Sequence, residues 1–283
     1  MTVTIVTSGD LPAGTYTLTP VTPPPVAPPA ASLPVPTALR ALYPTLEWSD
    51  TFAGTALNLK RWGYYEYGGT NNSLADADNG GSYSLPANVI VNNGLELLAS
   101  SPTPTNPASW GSGYITTWGL VSVKAPFYIE FQATCPPSKP GYWAGLCLYE
   151  ASWAGATEYA EIDVLERVQP NGNPAGFQSF HPPGSAPGIS NQIGAYGIDL
   201  TGTHTYGAAV DNAGNLSTWF DGTQTGKTFE AGASALQPFT VTLGMFISGN
   251  ANGQAAGWAM IPTTATPSPA KLGIGYVKVF AAA

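Results

Sequence analysis

The segment Asn88-Val-Ile-Val-Asn-Asn-Gly94-Leu-Glu-Leu-Leu98 limits the chain more than any other. Two short apolar runs flank an Asn-Asn-Gly turn, and glycine reaches the positive φ that tight hairpin turns demand, so two antiparallel strands are expected. The same pattern of apolar or alternating runs closed by Gly, Pro, Asn or Asp recurs along the chain. It predicts strands over residues 46–52, 114–124, 127–134, 142–149, 176–181, 204–211, 216–220, 239–247 and 275–281. With 33 Gly and 27 Pro among 283 residues, the chain breaks into short strands and leaves few runs able to form a helix. Turn-punctuated strands at this spacing imply an all-β, two-sheet antiparallel sandwich. The stretch 184–203 reads as a long loop bordering any site the sheets build.

Residues 158–168, Glu-Tyr-Ala-Glu-Ile-Asp-Val-Leu-Glu-Arg-Val, stand apart from the rest of the chain. Only 9% of residues are charged, yet Glu158, Glu161, Asp163 and Glu166 crowd together here. As a helix, Tyr159, Ile162, Leu165 and Val168 would form an apolar stripe with the acids solvated. As a strand, Glu161 and Asp163 share one face while Glu166 falls out of phase, because an offset of five is odd. One β-bulge between Asp163 and Glu166 would bring all three carboxylates to the same face. The stretch alone leaves both forms open, and the strand-rich setting favours the strand. Carboxylates so placed raise one another's pKa, so one can keep its proton near neutrality while another is ionised. Retaining glycoside hydrolysis requires that division of labour. A calcium site would use the same acids, but acids on one strand face seldom enclose an ion without loop carbonyls, and no metal or other cofactor is expected.

Seventeen acids against nine Lys and Arg give a net charge of -8, which excludes recognition of nucleic-acid or sulfated backbones. Eight Trp and 14 Tyr suit a groove that stacks on neutral sugar rings. No apolar run is long enough for a membrane span. Residues 1–10 lack the basic and apolar regions of an ordinary secretory signal, so an extracellular protein or a component of a virus particle is expected, with its export route open. Residues 1–19 read as a small β-hairpin element. Residues 20–44 read as a proline-rich linker or arm, since eight prolines fall within 20–36. Residues 45–283 read as the sandwich domain of a monomer. Cys135 and Cys147 lie too far apart along the hairpin of residues 127–149 to form a disulfide, so two free, buried thiols are expected.

Glu161-Ile-Asp163-Val-Leu-Glu166 resembles the E-x-D-x-x-E active-site strand of glycoside hydrolase family 16, in the bulged form shared by laminarinases, agarases and carrageenases rather than the unbulged form of lichenases. Leu46-Glu-Trp-Ser-Asp-Thr-Phe52 resembles that family's opening strand, Asn88 to Leu98 its first hairpin, and Gly141-Tyr-Trp-Ala-Gly-Leu-Cys-Leu148 the strand before the catalytic one. His204-Thr-Tyr206, Trp219-Phe-Asp-Gly222 and Tyr276-Val-Lys-Val-Phe280 follow in the family's order. The resemblance covers about residues 45–281. It implies a concanavalin-like jelly roll with a concave substrate cleft, and a retaining endo-glycosidase acting on a neutral β-linked polysaccharide. A β-1,3-glucan of the laminarin type is the first choice, with agarose open. A sugar-binding sandwich without turnover and a transglycosylase are the alternatives.

Carried over residue by residue, Glu161 is the nucleophile, Glu166 the general acid/base, and Asp163 the group that hydrogen-bonds to the nucleophile. His181 stands beside the acid/base, and Trp143 and Trp110 stack on sugar. The chain departs from the family at four positions. Cys147 replaces a second aromatic, Asp211 a tryptophan, Gln132 an arginine, and Gly275 an aspartate that often holds a structural calcium. The first two imply an altered cleft floor.

Overall fold

The computed structural model describes residues 2–5, 14–17, 36–64, 83–101, 103, 110–152, 158–184, 187–248, 261–264 and 266–283. Strands β1 (Thr2–Ile5) and β2 (Gly14–Thr17) pair antiparallel as a separate sheet over the segment read as a hairpin. Most of the proline-rich stretch, residues 18–35, lies outside the described residues. Its last part does not behave as a linker. Helix α1 (Thr37–Leu42) buries Leu39, which with Tyr43 packs on Tyr128 and Phe280, and Tyr43 Oη donates to the carbonyl of Val210 at 3.1 Å. Residues 36–44 therefore belong with the sandwich expected from residue 45, because two large side chains cover an otherwise exposed aromatic patch.

The remaining strands are β3 (Thr45–Asp50), β4 (Gly63–Tyr64), β5 (Tyr83–Ser84), β6 (Val89–Val91), β7 (Leu95–Ser100), β8 (Gly111–Thr116), β9 (Phe127–Thr134), β10 (Tyr142–Glu150), β11 (Glu161–Val168), β12 (Ala175–His181), β13 (Ile189–Gln192), β14 (Thr203–Val210), β15 (Asn215–Phe220), β16 (Thr223–Glu230), β17 (Phe239–Ile247) and β18 (Ala270–Ala281). One sheet runs β13-β12-β11-β10-β17-β8, and the other runs β7-β18-β9-β14-β15-β16. A short β7–β8 ladder joins them at one edge. Among the described residues, strand pairing is antiparallel apart from β5 on β8. The predicted hairpin at Asn88–Leu98 is β6 and β7, with Asn93 and Gly94 at positive φ in its turn. Among the described residues, no helix is long and apolar enough to cross a membrane.

The inner faces of the two sheets share one core. Phe127, Ile129 and Phe131 of β9 and Val277 and Val279 of β18 meet Leu146 and Leu148 of β10 and Val241, Leu243 and Met245 of β17, all essentially inaccessible. This alternation is the period-two pattern that made the strands legible. The expected loop over 184–203 contains β13, a polar edge strand. Asn191 anchors it, donating to the carbonyls of Thr225 and Lys227 at 2.8 Å each. The strand expected over 114–124 stops at Thr116, where Leu120 and Val121 both donate to the carbonyl of Thr117 and turn the chain. Both thiols are free and buried, as expected.

Leu39→Ala removes the buried anchor of α1 and is expected to cost about 2–3 kcal/mol, which lowers the melting temperature by about 4–10 °C in a domain of this size. Truncation at Thr45 should lower it at least as far. Thermal unfolding of the variants checks both; a truncated chain that melts at the parent temperature contradicts the packing role of α1.

Candidate active site

One extra residue in β11 decides where the acids point. Against β12, Asp163 pairs with Ser179 and Glu166 with Phe177, so three steps on β11 match two on its neighbour. Against β10, Leu146 pairs with Leu165 and Cys147 with Asp163, leaving Val164 unmatched. This is the bulge the odd spacing required. Val164 and Leu165, adjacent in sequence, both face the core and are fully buried. Glu161, Asp163 and Glu166 then lie together on the outer face of the sheet.

The neighbouring strand supplies the rest of that face. Trp143, Gly145, Cys147 and Tyr149 of β10 alternate with core residues Ala144, Leu146 and Leu148. Register sets Tyr149 opposite Glu161, Cys147 opposite Asp163 and Gly145 opposite Glu166. The Tyr149 hydroxyl donates to Glu161, and the Trp143 indole donates to Glu166. Gly145 pairs with Gly244 of β17, and the Phe246 ring lies over both, so that a Cβ on Gly145 would sit 2.9 Å from the ring. Phe246 meets Tyr114 edge-on at 4.9 Å and Trp143 at 6.4 Å between centroids. Tyr159 packs edge-on against Tyr149 at 5.9 Å.

His181 of β12, in register with Glu161, places Nε2 3.1 Å from Oδ2 of Asp163. Ligand-type atoms of Asp163, Glu166 and His181 lie within 4.8 Å of one another. The histidine thus contacts the middle acid directly and the expected acid/base as a neighbour. The backbone of Gly188 presses on its ring and leaves no room for a Cβ.

Burial dominates the electrostatics. Asp163 is 1% exposed and Glu166 6%, while Glu161 at the end of the row is only partly buried. Desolvation first, and then repulsion from Asp163, holds both Glu161 and Glu166 well above the usual carboxylate range. Each protonated glutamate can also donate to Asp163, which raises it further. The donors Tyr149 and Trp143 oppose this by favouring the ionised forms. The hydrogen bond to Asp163 raises His181 despite partial desolvation. Burial and the same carboxylates push the Cys147 thiol up. The site can therefore hold one glutamate ionised and another protonated near neutrality.

Trp143 is half-buried on the site face and so retains exposed surface there. Trp110 is not: it is completely buried in the core between the sheets and offers no face to a sugar. Asp211 does not bear on the site floor either. It caps the β14–β15 turn on the other sheet, accepting from the amides of Ala213 and Asn215 at 2.8 Å. Sequence reasoning passed over Tyr149, although strict alternation from Trp143 and Cys147 puts it on the same face. Phe246 lay inside a predicted strand with nothing in its spacing to mark it. A cavity of about 840 Å³ lined by Glu96, Gln132, Lys139 and Lys271 among others lies against β9 and β18, apart from the acids of β11.

No protein-family model matches the chain, and no curated protein sequence matches it. Solved structures do. The endo-β-1,3-glucanase of Pyrococcus furiosus superposes with a TM-score of 0.70 at 21% identity, over 84% of this chain and 94% of its own. The laminarinase of Flavobacterium sp. UMI-01 gives 0.65 at 24% identity, over 83% and 99%. A non-specific endo-β-1,3(4)-glucanase of glycoside hydrolase family 16 gives 0.68 at 21% identity, over 90% and 99%. The chain has the laminarinase fold.

A raised carboxylate pKa means that the folded state holds the proton more tightly than the unfolded chain. Stability from Glu161 and Glu166 is therefore fully present below about pH 4.3, the unfolded range, and is lost as pH rises through their folded values. Glu161→Gln removes this loss. The variant is expected to melt above the parent at pH 8 and close to it at pH 4; a parent that melts higher at both pH values contradicts the crowding.

Proposed function

We propose that the protein is a retaining endo-glycosidase that cleaves a neutral β-linked polysaccharide, with a β-1,3-glucan of the laminarin type as substrate. The convergence of Glu161, Asp163 and Glu166 on one sheet face through the β11 bulge carries this reading. The fold shared with laminarinases supports the linkage, and the net charge of -8 disfavours anionic polysaccharides.

Glu161 attacks the anomeric carbon, and the Tyr149 hydroxyl stabilises its ionised form. Glu166, more deeply buried and held above the usual carboxylate range, keeps a proton and delivers it to the departing glycosidic oxygen. The glycosyl-enzyme ester is then hydrolysed by a water that Glu166, now a carboxylate, deprotonates. Asp163 lies close enough to both glutamates to accept from whichever holds the proton, and His181 fixes its orientation. Trp143 sets Glu166 through its indole N–H and turns its exposed part to the sugar. Gly145 and Gly244 make room for the Phe246 ring, which lies over them on the site face.

Incubation with laminarin should release a ladder of reducing oligosaccharides, with viscosity falling early as internal bonds break. Glu161→Gln and Glu166→Gln should each lower kcat by about 10³-fold or more, consistent with loss of a covalent or proton-transfer step. On an activated aryl glycoside, whose leaving group departs without a proton, azide should restore turnover to Glu166→Ala, since it needs no general base to attack the intermediate. A folded protein that binds laminarin without releasing product, and binds it unchanged after Glu166→Gln, is a sugar-binding sandwich and sinks the proposal.

A further inference from the structure

The sheet that does not carry the acids has a depression in its outer face. In the register of β7, β18, β9 and β14, Glu96, Gly273, Thr134 and Thr203 form one row across that face. Glycine at 273 leaves a gap in the row, and the cavity of about 840 Å³ opens there, within the range that drug-sized ligands fill. The polar side chains of the row are engaged with one another. Glu96 accepts from Lys271 Nζ at 2.9 Å, and the Thr134 and Thr203 hydroxyls share a hydrogen bond of 2.9 Å. Elsewhere in the lining, Tyr142 Oη donates to the Pro267 carbonyl and Thr201 Oγ1 to Asp199, each at 2.6 Å. A sugar, which must replace its water with many hydrogen bonds, finds few groups here that are not already bonded. Apolar surface dominates instead, from Leu95, Ile274, Pro136, Pro137, Pro267 and Pro269. Lys139 completes the rim. Its carbonyl accepts from the Tyr142 amide at 3.1 Å, and its exposed side chain makes no ion pair among the described residues.

We infer that this cavity binds an amphipathic monocarboxylate with a saturated chain of medium length. The chain lies against the prolines, Leu95 and Ile274, and the carboxylate meets the Lys139 ammonium. Burial of the chain supplies most of the affinity, and the one unpaired ammonium selects a single negative charge. Lys271 is already neutralised by Glu96, so a dianion would find no second cation. Tyr142 is the one aromatic residue of the lining and is only 6% exposed. The surface therefore suits a flexible chain better than a flat ring that needs a stacking partner. Glu161 and Glu166 lie on the other sheet, so this binding and glycoside cleavage stand or fall separately.

Dodecanoate titrated into the full chain below its micelle concentration tests this, read by calorimetry and by thermal melting. One dodecanoate per chain and a raised melting temperature are expected. Butanoate, with the same carboxylate and little chain, should show no measurable binding. Lys139→Glu should weaken dodecanoate binding about tenfold or more. Gly273→Leu fills the gap in the row and should weaken binding at least as far. A Cβ at that position meets its nearest neighbour, in Thr134, at 3.7 Å, so the side chain enters without displacing the backbone. If Gly273→Leu nevertheless fails to fold, Lys139→Glu, a change at an exposed side chain, decides alone. Absence of dodecanoate binding, binding left unchanged by either folded variant, or displacement of dodecanoate by laminaritriose overturns the site.

Discussion

Repulsion among three carboxylates on one strand is the constraint to which the surrounding structure answers. A regular strand would separate Glu166 from Glu161 and Asp163, so the crowding exists only because β11 takes an extra residue. The bulge is tolerable in the middle of a sheet because its two inward residues, Val164 and Leu165, are both absorbed by the core. On the outer face, each end of the row receives a donor from β10, Tyr149 for Glu161 and Trp143 for Glu166, while His181 of β12 meets the middle acid. The donors reduce the repulsion without removing it, and both glutamates stay raised. Stability given up at such a point is the usual mark of a site kept for chemistry.

The two outer faces of the sandwich are finished differently, and this separates site from support. On the β11 side, Gly145 and Gly244 lie side by side and Phe246 folds over them, braced by Tyr114 and Trp143. Side chains at the two glycines would displace that ring. On the opposite sheet, Glu130 is buried and accepts from the hydroxyls of Tyr128 and Tyr276 at 2.8 and 2.6 Å. The Tyr128 ring there also packs beneath Leu39 and Tyr43 of the α1 segment. That carboxylate is buried and held by two hydroxyls, whereas the acids of β11 lie on the outer face of their sheet.

Where period-two alternation was strong, the sequence was legible. Strands such as Phe239–Ile247 are found at their expected bounds, and the odd offset from Glu161 to Glu166 called for the bulge that is present. Polar strands were missed: Ile189–Gln192 and Thr223–Glu230 carry no apolar period and are held by ladder bonds and by Asn191. Residues 37–42 look like the end of a linker because nearby prolines mask a helix too short to show periodicity. Tryptophan suits both sugar stacking and cores, and only its complete burial puts Trp110 in the core. Tyr149 could have been found by extending the alternation of β10, but Phe246 owes its place to the fold that sets Gly145 beside Gly244.

The division of roles between Glu161 and Glu166 is tested most directly by trapping the covalent intermediate. A 2-deoxy-2-fluoro laminaribiosyl fluoride slows breakdown of the glycosyl-enzyme more than its formation, and peptide mass spectrometry then locates the sugar. The predicted result is one fluorosugar per chain, esterified to Glu161 and absent from the Glu161→Gln variant. A label on Glu166 or Asp163, or turnover of the reagent with inverted configuration and no label, would contradict the mechanism.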